Sequence, residues 1–80
     1  MQQTILRLPT VKSETGYSRS TIHLRISEGL FTKPVSLGAR AVGWPSIEIA
    51  TLNAARIAGK SNVEIRALVE KLHAARKNAA

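Results

Sequence analysis

Eighty residues make one domain with a modest apolar core, marginally stable alone and open to added stability from dimerisation or ligand binding. There is no cysteine, which excludes disulfides, thiolate metal sites and cysteine nucleophiles, and no apolar run approaches the ~20 residues of a membrane span. Lys and Arg number 12 against 5 acidic residues, a net charge of +7, and such an excess favours polyanions, which in the cytoplasm are mainly nucleic acids.

The start Met1-Gln2-Gln3-Thr4 has neither the basic nor the apolar region of a signal peptide, so a cytoplasmic location with no membrane partner is expected. Thr4 to Leu8 can form a short strand. Pro9 suits a first helical position, where its missing N–H costs nothing, and the helix it opens ends near Gly16, which accepts a left-handed C′ conformation. Ser18 reads as the N-cap of a second helix, Arg19 to Glu28, stopped by Gly29. Tyr17 can touch Val11 as C″ of the first helix and staple onto Ile22 as N′ of the second. Two short helices joined through Gly16-Tyr17-Ser18 make a helix-turn-helix.

Pro34-Val35-Ser36-Leu37, Gly38-Ala39-Arg40 and Ala41-Val42-Gly43-Trp44 alternate apolar with small or polar residues about a glycine, the pattern of a β-hairpin with a three-residue loop. Pro45 opens a third helix running to about Ala58 and closed by Gly59. Ile49 and Leu52 lie on one side of it, Ile47, Ala50, Ala54 and Ile57 on the other, which predicts burial on both sides. Ser61-Asn62-Val63-Glu64 is a capping box starting a fourth helix, whose Ile65, Leu68, Val69 and Leu72 form an apolar stripe. That stripe is the natural cover for the third helix, or a seam for a second copy; the tail from Lys77 is expected to fray. The expected fold is mainly α with a small β-hairpin: a winged helix-turn-helix over residues 1–59, then a C-terminal helical extension over 60–80, packed on it or dimerising.

In the second helix, a rotation of 100° per residue puts Ile22 and Ile26 on one inward face. Ser20, His23, Leu24 and Ser27 fall largely opposite, short polar or methyl-bearing side chains that suit base edges in a major groove or simply a solvated face. The helix start, Ser18 to Thr21, offers free N–H groups and a positive dipole end to a phosphate. Arg19 there can grip a phosphate or fork onto guanine O6 and N7. Leu24 can read a thymine methyl, but packing on Leu30 across the Gly29 turn is the expectation. Arg40 at the hairpin tip and Lys33 near its base can reach phosphates or the minor groove. Trp44 belongs to the core.

Enzyme chemistry finds no support. Five scattered glutamates, no aspartate and the distant His23 and His73 give no acid/base pair, triad or metal cage, and the glycines fit neither a P-loop nor a dinucleotide fingerprint. No metal or cofactor is expected. The rival to DNA binding is a protein-binding adaptor that docks a partner helix or a second copy on Ile65, Leu68 and Leu72. RNA is disfavoured by the scarcity of aromatics for base stacking.

Arg7-Leu8-Pro9-Thr10-Val11, the run Thr15 to Ile22, Gly29-Leu30-Phe31 with Lys33-Pro34-Val35, and Leu37-Gly38 followed by Arg40-Ala41-Val42-Gly43-Trp44 resemble the AlpA family of prophage regulators. The resemblance implies a winged helix-turn-helix similar to that of excisionases and MerR-type regulators, binding operator or attachment-site DNA. It implies a transcriptional regulator of integrase and excision genes, or a recombination directionality factor that bends DNA for an integrase. Double-stranded DNA is the implied partner, with a homodimer or multimer on DNA and the integrase as further expected partners. It places Ser18, Arg19, Ser20 and Thr21 in the recognition-helix motif and Arg40 in the wing. Three positions depart from the family pattern: His23 stands where tyrosine is common, Thr32 where proline is usual, loosening the run into the wing, and Pro45 where a hydrogen-bond donor is usual.

Overall fold

A computed structural model describes residues 4–77. The elements run β1 (Ile5–Leu6), α1 (Leu8–Thr15), α2 (Arg19–Ser27), β2 (Val35–Gly38), β3 (Ala41–Pro45), α3 (Ser46–Ile57) and α4 (Asn62–Arg76). The fold is therefore mainly helical with a small antiparallel sheet of order β1-β3-β2. Of the tail expected to fray from Lys77, residues 78–80 lie outside the described residues.

The helix punctuation follows local chemistry. Pro9 sits in the first turn of α1, and Gly16 ends that helix at φ 74°, a conformation costly for any residue with a Cβ. Ser18 caps α2, its hydroxyl accepting from the Thr21 N–H at 3.2 Å. At the far end the Leu30 N–H donates to the Arg25 carbonyl and the Gly29 N–H to the Ile26 carbonyl, a Schellman closure. The Ser61–Glu64 capping box starts α4 with both reciprocal bonds in place.

In the sheet, Ile5 and Leu6 pair with Pro45 and Trp44, and Val35 and Ser36 with Gly43 and Val42. Gly43 is the close approach: a Cβ there would collide with Ile5 Cγ2 and stand 3.0 Å from the Leu6 carbonyl oxygen. Gly38 pairs with Ala41, so the hairpin loop is two residues, Ala39 and Arg40, rather than three. A register irregularity between Ser36 and Gly38 absorbs the difference, and Arg40 takes the left-handed conformation, φ 67°.

One core serves all four helices. Val11, Ile22, Leu30, Phe31, Trp44, Ile49, Leu52, Ala55, Ile65 and Val69 are buried in a single cluster, with Tyr17, Ile26, Leu68 and Leu72 half-buried against it. Phe31 stands edge-on to both Tyr17 and Trp44, each at 6.3 Å between ring centres. Trp44 Nε1–H donates to the Thr32 carbonyl at 2.9 Å. Thr32 itself is fully buried.

Two further expectations are corrected. Leu24 does not pack on Leu30; Leu30 is buried and Leu24 is 56% exposed, because the helix turns residue 24 outward while the Schellman turn carries residue 30 back into the core. α3 is buried on one side only: Glu48, Ile49, Leu52 and Ala55 face inward, while Ile47, Ala50, Ala54 and Ile57 remain exposed. α4 packs on α3 and brings Ile65 and Val69 into the existing core, while on the opposite side Leu6 and Glu14 border Ile47 and Ala50 without burying them.

Candidate nucleic-acid interface

The outward side of α2 is open. Arg19, Ser20, His23, Leu24 and Ser27 are exposed, Thr21 is half-buried, and Ile22 is fully buried beneath them. Ser18 and Thr21 engage each other, with hydroxyls 2.9 Å apart in addition to the cap bond, so these two side chains set the shape of the helix start. The N–H groups of Arg19 and Ser20, in the first turn, have no intrahelical acceptor and face outward with the positive dipole end. The Ser27 hydroxyl donates to the Leu24 carbonyl at 2.7 Å and is thereby partly used.

Arg40 is exposed at the hairpin tip, and among the described residues neither Arg19 nor Arg40 pairs with a carboxylate. Lys33 has an exposed side chain, while its backbone is held on both sides. The Lys33 N–H donates to His73 Nε2 at 3.1 Å, and its carbonyl accepts from Arg76 Nη2 at 2.6 Å. A histidine nitrogen that accepts must be unprotonated. Partial burial, then the neighbouring Arg76 and Lys33 cations, hold His73 below its ordinary pKa against the opposing pull of Glu48 and Glu70.

These braces were not among the residues singled out from sequence. Arg66 Nε donates to the Glu28 carbonyl at 2.9 Å, closing the end of α2. Arg66, Val69, His73 and Arg76 follow spacings of 3, 4 and 3, one side of α4, and that periodicity was the available signal. Arg25 stays with α2's own surroundings, 3.6 Å from Glu28 and 5.9 Å from the Tyr17 ring centre. Among the described residues no group of His, Cys, Asp or Glu is arranged to hold a metal ion, and no helix is long and apolar enough to cross a membrane.

A capped helix pair with an open second helix, followed by a two-stranded hairpin and a covering helix, is compatible with a winged helix-turn-helix, the architecture of many DNA-binding regulators. Residues 4–57 match the family described as Prophage CP4-57 regulatory protein (AlpA). Over 59 residues, 74% of this chain and 67% of the other, the chain is 44% identical to the "Uncharacterized protein ORF88" of Enterobacteria phage P4. The chain belongs to the AlpA family of prophage regulatory proteins, a class of DNA-binding regulators and not of enzymes. No solved structure matches it.

Proposed function

We propose that this protein regulates a prophage or integrative element by sequence-specific binding to double-stranded DNA, controlling integrase or excision genes. The observation that carries the reading is the open side of α2, where Arg19, Ser20 and His23 stand exposed above a buried Ile22 on a chain of charge +7. In this reading α2 lies in the major groove. Ser20, His23 and Leu24 face base edges, and Arg19 forks onto guanine or a phosphate. Ser18 and Thr21 shape the helix start for a phosphate. Lys33 and Arg40 hold the backbone on the hairpin side.

The same surface serves a recombination directionality factor, which binds attachment-site DNA and works with an integrase. The adaptor reading keeps a smaller surface, since Ile65 is buried while Leu68 and Leu72 are half-buried against the chain's own core. Footprinting on the DNA flanking the gene separates the two DNA roles. Protection at a promoter is the expected result for a transcriptional regulator, and protected repeats at an attachment site are the result for a directionality factor. No protection at either place would contradict both.

A further inference from the structure

The exposed side of α3 is an apolar feature that DNA binding does not use. Ile47 is 50% and Ile57 87% exposed, Ala50 and Ala54 between them are exposed, and the buried side of the helix lies directly opposite. A surface helix ordinarily turns charged and polar residues outward. This chain has 12 cations, yet none stands on that side of α3; Arg56 turns toward Asn62. The four residues follow spacings of 3, 4 and 3, the seam of a coiled coil. Their order, Ile-Ala-Ala-Ile, reads the same from either end.

We propose that this side of α3 is a dimer interface, on which a second copy of the chain packs its own α3 in the antiparallel direction. A twofold interface requires one patch to meet itself, and the palindromic order satisfies that requirement: Ile47 meets the partner's Ile57, and Ala50 meets the partner's Ala54. Alanines at the centre let the backbones approach, isoleucines at the ends close the seam, and antiparallel helices oppose their dipoles favourably. Leu6 and Glu14 border Ile47 and Ala50 on one flank, so the Glu14 carboxylate stands at the rim of the seam rather than on it. Thr51 Oγ1 donates to the Ile47 carbonyl at 2.7 Å and Asn53 Nδ2 to the Glu14 carbonyl at 2.9 Å, so both donors are satisfied within the chain and neither residue is charged.

The seam is short, one side of a 12-residue helix, against the ~800 Å² per partner of a standard stable interface. A charge of +7 on each copy further opposes pairing in free solution. Both terms are relieved when two copies share one DNA segment, whose phosphates neutralise the charge and whose length raises the local concentration. That last step rests on the DNA-binding reading; the seam does not.

Because the chain contains no cysteine, thiol cross-linking reports the geometry directly. Ala50→Cys and Ala54→Cys chains are mixed on a long duplex at low salt, where phosphate binding loads several copies. The mixture should give at least about tenfold more cross-linked dimer than Ala50→Cys alone, since only opposed positions meet. Adding Ile57→Glu, at an exposed position that does not endanger folding, should abolish the cross-link while leaving single-copy DNA affinity within about twofold. Equal cross-linking by Ala50→Cys alone, or none from the mixture on DNA, overturns the proposal. Cross-linking in concentrated protein without any DNA binding would instead uphold the seam and remove the DNA reading.

Discussion

Arg76 holds Glu48 in a two-bond fork, Nε to Oε2 at 2.7 Å and Nη2 to Oε1 at 2.6 Å, and the same Nη2 reaches the Lys33 carbonyl. The Glu48 side chain is 4% exposed and that of Arg76 24%. A carboxylate so placed on α3 depends on α4 for its charge balance, and the base of the hairpin depends on the same guanidinium. The family match ends at residue 57, yet α4 supplies Ile65 and Val69 to the core and the hydrogen bonds that fix Lys33.

Arg76→Ala leaves that carboxylate buried and unpaired, so it should lower folding stability by about 3 kcal/mol. Arg76→Lys should recover only part, because an ammonium cannot form the fork. Urea unfolding measures both. A midpoint unchanged in Arg76→Ala would mean that Glu48 is solvated.

His73 accepts from the Lys33 N–H only while neutral, and its pKa is lowered in the folded chain, first by burial and then by Arg76 and Lys33. Protonation is therefore easier in the unfolded chain. The penalty is absent at neutral pH, sets in as pH falls through the ordinary histidine value of about 6.5, and is complete below the lowered native value. Stability should fall with acidification across that window. His73→Gln, which keeps an acceptor without a proton equilibrium, should flatten the profile. The same slope in the variant would assign it elsewhere.

Thr32 is fully buried, and its hydroxyl has no partner while its carbonyl serves Trp44. Thr32→Val keeps the shape and removes the orphaned group, and should raise stability by about 1 kcal/mol. Thermal unfolding at neutral pH shows it as a higher Tm; a lower one would indicate a hydroxyl hydrogen-bonded in solution.

Arg40 combines charge with a left-handed backbone, φ 67°. Arg40→Gly separates the two. Relief of the backbone should stabilise the fold by roughly 0.5–1 kcal/mol, while the salt dependence of DNA binding should lose about one unit of slope. Weakened binding with an unchanged slope would place the side chain away from phosphate.

The helix boundaries were legible because each rests on local chemistry: Gly16 and Gly29 as left-handed stops, Ser18 and Ser61 as caps. The hairpin was legible in place but not in loop length, since its register is set by an irregularity at Ser36–Gly38 that alternation does not encode. Apolar count overcalled burial on α3, because periodicity says which residues share a side and not whether another element covers it. The clamp on Lys33 joins residues about forty apart in sequence through side-chain bonds, and only assembly of the fold brings them within reach.

The most direct test of the account is a titration of wild type and Arg19→Ala on a preferred duplex and a scrambled one, at several salt concentrations. Arg19→Ala should weaken binding to the preferred duplex by ~1–3 kcal/mol and narrow its margin over the scrambled one. Equal affinity and equal discrimination in the two proteins would show that the open side of α2 does not read DNA.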